Sequence, residues 1–257
     1  MMKRLMLIIA MFSTNAMVVQ AQQAGKPEDT EVWTPVPAKV SPAKLAGAAP
    51  SDATVLFDGK DLDQWVNSDN AASEKKWKLS DGIMTVDKSV GDIQTKEQFM
   101  DFQLHIEYRI PENITGSGQS RGNSGIFLAA LPWGAGGYEL QVLDNYENKT
   151  YVNGQAGSFY KQSPPLVNAC LKPGEWQTYD VAWTAPRFNE DGSVKSPAVA
   201  TVFHNGILIQ NATVLKGDTP YIGQPTYRKH GASSIKLQSH GDKSEPISYR
   251  NIWLRKL

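Results

Sequence analysis

The chain has one cysteine, Cys170, in 257 residues. No intramolecular disulfide can form, and no cysteine cluster can hold zinc. Charge excess is also missing: 26 Lys and Arg stand against 26 Asp and Glu. That balance excludes a strongly basic nucleic-acid binder and a highly charged disordered chain. No amphipathic helix of ordinary length is evident. A P-loop, a dinucleotide fingerprint and an HExxH metal motif are absent as well. What is present is generous turn and aromatic content, with 21 Gly, 15 Pro, 7 Trp and 9 Tyr. Hydrophobic residues make up 40% and charged residues 20%, enough for a real core.

Residues 1–21 are expected to be a secretory signal. Lys3 and Arg4 form its basic start, Leu5 to Phe12 its apolar centre, and Val19-Gln20-Ala21 its small-residue cleavage site. The apolar run is shorter than the ~20 residues of a membrane span. Cleavage removes two of the basic side chains and leaves the remainder slightly acidic. No cysteine follows the apolar centre to carry a lipid anchor. A periplasmic or secreted protein is expected, with no membrane attachment after cleavage and a lone Cys170 tolerated as a small hydrophobe.

Residues 22–53 are rich in Ala and Pro, including Pro27, Pro35, Pro37, Pro42 and Pro50. Proline cannot donate to a strand ladder, so this stretch is expected to be an arm or linker. One domain is expected over residues 54–257. There Phe102, Leu104, Ile106, Tyr108 and Ile110 alternate with Gln103, His105, Glu107 and Arg109, the period of a strand. Further strands are expected at Ile83–Val86, Ser124–Ala129, Tyr138–Leu143, Thr178–Trp183, Ala198–His204, Ile207–Ala212 and Ile247–Arg255. Asn205-Gly206 is a type I′ hairpin signal, because both turn positions need positive φ. Many short strands without intervening helices point to an all-β antiparallel sandwich.

Four polar groupings stand out. Glu139 and Gln141 share one strand face, and a single bulge would bring Asp144 to the same side. Carboxylates serve as acid, base or nucleophile, and amides hold hydroxyls, a combination suited to sugar chemistry. Taken alone, that strand is better explained as an ordinary solvated sheet face. Lys236, Gln238 and His240 share a face of the strand beginning at Ile235, and histidine exchanges protons near neutral pH. Arg121 and Asn123 precede an apolar strand. Tyr160 lies in an aromatic loop and, with Trp133, offers a stacking surface for a sugar or simple packing.

In order, several segments are similar to one family. They are Leu56-Phe57-Asp58-Gly59-Lys60-Asp61-Leu62 with Trp65, Asp81-Gly82, Asn123-Ser124-Gly125, Tyr138 to Asp144 and Gly157 to Tyr160. Lys172-Pro173-Gly174-Glu175-Trp176, Asn205-Gly206, Leu237-Gln238-Ser239-His240-Gly241 and Tyr249-Arg250-Asn251-Ile252 complete the set. Together they resemble the 3-keto-disaccharide hydrolase domain family, formerly DUF1080, over roughly residues 54–257. The resemblance implies a concanavalin A-like jelly roll of two curved antiparallel sheets with a concave ligand face.

It also implies cleavage of glycosides already oxidised to a ketone at C3. The ketone acidifies the C2 hydrogen, a base removes it, and the C1 substituent leaves; later hydration makes the net change hydrolysis. On this expectation Glu139, His240 and Asp144 are the catalytic candidates, with Asp144 a second acid/base or the group orienting His240. Arg121, Asn123, Gln141, Tyr160, Lys236, Gln238 and Trp133 are the substrate-binding candidates. A carbohydrate is the expected partner, with a sugar 3-oxidoreductase implied by the chemistry. No cofactor is required. A divalent metal at Glu139, Asp144 and His240 is chemically acceptable, as is calcium near Asp58 or Asp61. Two alternatives stay open. One is a two-carboxylate glucanase-like hydrolase, weakened because Gln141 stands where its middle acid would be; the other is a lectin-like binding module.

Overall fold

The computed structural model describes residues 25–74, 76–133 and 136–257. The expected signal segment lies outside the described residues. The chain divides into two units, Met1–Lys39 and Val40–Leu257. The described part of the first holds one 3-10 turn, Pro27–Thr30, opened by a proline that needs no amide partner there.

The second unit carries fifteen strands among the described residues. They are β1 (Thr54–Phe57), β2 (Trp65–Asn67), β3 (Lys78–Ser80), β4 (Ile83–Thr85), β5 (Ile93–Thr95), β6 (Phe102–Arg109), β7 (Ser124–Ala130) and β8 (Gly137–Val142). Then come β9 (Trp176–Thr184), β10 (Arg187–Phe188), β11 (Val194–Ser196), β12 (Val199–His204), β13 (Ile207–Val214), β14 (Lys236–Leu237) and β15 (Ser248–Lys256). The larger sheet runs β13-β12-β9-β6-β15-β4-β3, with β1 also on β15; the smaller runs β2-β5-β14-β7-β8. Every strand pair is antiparallel, so the all-β sandwich expected from the alternation is the observed architecture.

The core lies between the sheets. Phe102, Leu104, Ile106 and Tyr108 of β6 are fully buried, as are Tyr138, Leu140 and Val142 of β8. The rings of Tyr138 and Trp183 meet across the layers at 5.3 Å. The Tyr179 hydroxyl donates to the Gln141 carbonyl at 2.9 Å, binding one layer to the backbone of the other. At the β12–β13 turn Asn205 and Gly206 both have positive φ, 52° and 78°, the geometry their pairing predicts. Burial pushes the Cys170 thiol up to about 12, which leaves it inert as a nucleophile.

The start of the compact unit differs from the expected Thr54. Residues 40–53 pack on the outer face of the larger sheet rather than forming a linker. The Gly47 carbonyl accepts from Asn251 Nδ2 and Trp253 Nε1, each at 2.8 Å. Asp52 pairs with Arg255. This cover explains why His105, expected on a polar face, is buried: it stacks on Trp253 at 5.2 Å and bonds Asp180 through Nδ1 at 2.7 Å. Proline content marked the segment as extended, but extended chain also docks through its carbonyls.

A chain beginning at Thr54 therefore leaves the Trp253 indole N–H without its acceptor, takes one of the acceptors of Asn251 Nδ2, and removes Asp52 from Arg255. Relative to one beginning at Val40, it should lose about 2–4 kcal/mol and melt roughly 5–10 °C lower. Equal melting temperatures in calorimetry would refute the clasp.

Candidate active site on the smaller sheet

Strand alternation gives β8 two chemically opposite faces. Tyr138, Leu140 and Val142 enter the core, so Glu139 and Gln141 face outward. Register extends the outward row across the whole sheet. Glu139 is opposite Phe127, Phe127 opposite Lys236, Lys236 opposite Gln94, and Gln94 opposite Val66. One register step away, Gln141 is opposite Gly125, whose carbonyl accepts from the Gln238 amide at 2.9 Å.

Gly125 makes the space for the acid. A Cβ there would lie 2.7 Å from Glu139 Oε1 and 3.0 Å from its Cγ. Downstream chain then closes over the strand: Tyr160 N donates to the Glu139 carbonyl, and Thr219 Oγ1 accepts from the Glu139 amide. Glu139 is only 5% exposed, and among the described residues nothing hydrogen-bonds its carboxyl. Burial pushes its pKa up to about 8, against the opposing pull of Lys236 and Lys161 and with some help from Asp92. At neutral pH it is held largely protonated.

His240 faces the same cleft with its Nδ1 bonded to Asp242 Oδ2 at 2.6 Å. Burial alone would raise Asp242, but hydrogen bonds from Ser244 and His240, aided by Lys88, hold it below the usual carboxylate range. The ionised Asp242 fixes the ring and leaves Nε2 available for proton transfer.

Six sequence-predicted residues, Asn123, Glu139, Gln141, Tyr160, Gln238 and His240, line one cleft of about 70 Å³ with Gln119 and Tyr221. Their individual engagements differ. Gln141 Nε2 is taken up by Asn123 Oδ1 and the Ser124 and Val142 carbonyls, so this amide braces the wall. Gln238 Oε1 is buried without a donor among the described residues. The Tyr160 hydroxyl shares a 2.6 Å hydrogen bond with that of Tyr151 and is raised by burial first and this bond second. Lys236 and Trp133 line a separate, larger hollow on the same face.

Arg121 and Asp144 do not join the cleft. β8 ends at Val142 without the bulge that would have returned Asp144 to Glu139's face. Instead Arg121 Nε pairs with Asp144 Oδ2 at 2.6 Å and its NH1 donates to the Ile114 carbonyl, in another hollow. Asp242, not Asp144, orients His240. The two-residue spacing His240-Gly241-Asp242 was the available signal for it. Gln119 comes from the 3-10 turn Gly118–Ser120 and Tyr221 from a loop, and neither stretch carries a sequence period.

Among the described residues no group of three or more His, Cys, Asp or Glu is disposed to hold a metal ion. Asp58 instead engages Lys60, and Asp61 caps the Asp63 amide. Nor is any described helix long and apolar enough to cross a membrane.

Residues 52–255 match the model of the 3-keto-alpha-glucoside-1,2-lyase-like domain. The chain is 55% identical to a crystallised protein of Parabacteroides distasonis ATCC 8503 named a "putative glycosyl hydrolase". That match covers 92% of this chain and 99% of the other, with a TM-score of 0.84. A second structure from that organism, under the same name, shares the fold at 21% identity and TM-score 0.54, over 80% of this chain and 99% of its own. No curated protein matches the chain.

Two outcomes follow from these contacts. Asp144→Asn should cost about 1–3 kcal/mol by unpairing a buried ion pair. Its folded fraction should turn over far closer to wild type than Glu139→Gln does; equal losses would return Asp144 to the reaction. The second concerns pH. Glu139 has a raised folded pKa, so wild-type stability falls as pH rises from about 4.5 to about 8, where the unfolded chain ionises first. Glu139→Gln escapes that loss. Its stability advantage should grow by a few kcal/mol (order of magnitude) between about pH 5 and about pH 9 in urea melts, and a pH-independent difference would refute the assignment.

Proposed function

Because the chain belongs to the 3-keto-alpha-glucoside-1,2-lyase-like family, we propose that the Glu139 cleft opens the glycosidic bond of a 3-keto glycoside by elimination across C1 and C2. The protein is a carbohydrate-acting enzyme, and its substrate is a sugar already oxidised at C3. The C3 ketone makes the C2–H bond acidic. His240 Nε2 takes that proton, and the C–H electron pair becomes an enolate spread over C2, C3 and the ketone oxygen. The enolate re-forms the ketone as a C1=C2 double bond develops and the C1–O bond breaks. Glu139 delivers its proton to the departing oxygen, so one proton enters the protein and one leaves it. Addition of water to the resulting enone makes the overall change hydrolytic.

The observation that carries this division of labour is the contrast in how the two groups are held. Asp242 engages His240 Nδ1 and leaves Nε2 facing the cleft, while burial keeps Glu139 protonated up to about 8. Lys161, whose charge reaches Glu139, supplies positive potential for the enolate. The unpaired Gln238 Oε1 accepts a substrate hydroxyl. A two-carboxylate hydrolase would need a second acid in the cleft, whereas Asp144 is committed to Arg121. A binding module would gain nothing from a buried carboxyl without a hydrogen bond. The basic start and apolar centre of residues 1–21 support a periplasmic or secreted enzyme. A separate sugar 3-oxidoreductase must supply the ketone.

The test is to offer a 3-keto-disaccharide and its unoxidised parent, each carrying deuterium at C2. Only the keto form should release free sugar, and its label should pass to solvent. His240→Ala and Glu139→Gln should each slow turnover at least ~10²-fold. With Glu139 as acid, kcat/KM falls as pH rises through about 8; a rise over that range would make it the base. Cleavage of the parent with retention of label would reject elimination.

A further inference from the structure

We infer that the larger hollow beside the cleft is a saccharide subsite, so that the enzyme takes oxidised oligosaccharides and holds an unoxidised sugar unit there. This rests on the proposed action at Glu139 but concerns a different part of the surface. The hollow has a volume of about 470 Å³, against about 70 Å³ for the Glu139 cleft. The cleft is too small for more than part of one sugar ring, so the rest of any glycan must lie elsewhere.

Sheet register says where. Lys236 stands two strands from Glu139 along the outward row and Gln94 three, which at the usual strand spacing is about 10 and about 14 Å. The hollow opens over that end of the row. Lys236 forms the divide: its ammonium sits 4.0 Å over the Phe127 ring and 3.1 Å from Asp92 Oδ2. Its charge is thus already answered, so the hollow is not an anion site.

The lining fits hydroxyls. Ser68, Asp69, Gln94 and Gln98 contribute a hydroxyl, a short acid and two amides, and the Trp133 indole borders them with the Arg228 guanidinium 5.5 Å from its ring centroid. Donors and acceptors around one aromatic face suit a pyranose, which has polar edges and apolar faces. The Trp133 indole N–H adds an independent sign. It is buried and has no acceptor among the described residues, a deficit a sugar hydroxyl would remove. Trp133 also packs partly against the core, so Gln94 and Gln98 are the safer positions to change.

The experiment compares wild type with the double variant Gln94→Ala/Gln98→Ala on three 3-keto substrates: a trisaccharide, a methyl glycoside and an aryl glycoside. For the trisaccharide kcat/KM should fall about tenfold, mainly through KM, the equivalent of one or two lost hydrogen bonds. The methyl and aryl glycosides should be unaffected. Equal losses on all three, a loss confined to the aryl glycoside, or no loss at all would overturn the subsite. If wild type cleaves none of them, the proposed reaction fails instead. The subsite is then read by titrating the unoxidised trisaccharide into both proteins by calorimetry: weaker binding by the variant upholds it, and equal or absent binding overturns it.

Discussion

The contact between the Glu139 side chain and the bare backbone of Gly125 is what the site depends on. A buried carboxyl needs volume and some reason to stay uncharged. The missing Cβ at Gly125 supplies the volume, and burial of the acid supplies the reason. Everything around it holds that arrangement still. Thr219 and Tyr160 fix the strand's backbone, Gln141 braces the next position, and the Tyr179 hydroxyl ties the same strand to the opposite layer. β8 is therefore both a core element and the site's foundation, with period two dividing the roles.

A second carboxylate a short distance away is treated in the opposite manner. Asp242 is also buried, yet it collects donors from Ser244, His240 and Lys88 and remains charged. Two acids on one surface thus acquire different protonation states, one from burial and the other from donors and the Lys88 charge gathered around it. In the proposed reaction that contrast lets a proton be taken at one place and given at another near neutral pH.

Much of this was legible in the sequence because a strand writes its geometry into every second residue. The alternation at 102–110 and 138–143 located the core, and the faces of Glu139, Gln141 and Gln238 followed from it. Asp144 failed because the sequence does not say where a strand stops; β8 ends two residues earlier, and the ion pair with Arg121 takes over. Residues 40–53 failed for a related reason. Docking through the Gly47 carbonyl uses an atom every residue possesses, so composition cannot reveal it. Tyr221 reaches the cleft from a loop and Gln119 from a single 3-10 turn, whose paths are set by distant partners. Trp133 and Lys236 stand out in the sequence by residue type, but only the register separates their hollow from the Glu139 cleft.

The chain segment lying along β8 has one more effect. Gly157 and Tyr160 donate to carbonyls of Gln141 and Glu139, and the Gln141 amide is answered by Ser158. The last strand of the smaller sheet therefore offers no continuous open ladder to a second molecule. A protein with no disulfide to restrain it gains protection from self-templated aggregation at its most chemically valuable strand, from the same backbone bonds that position its acid.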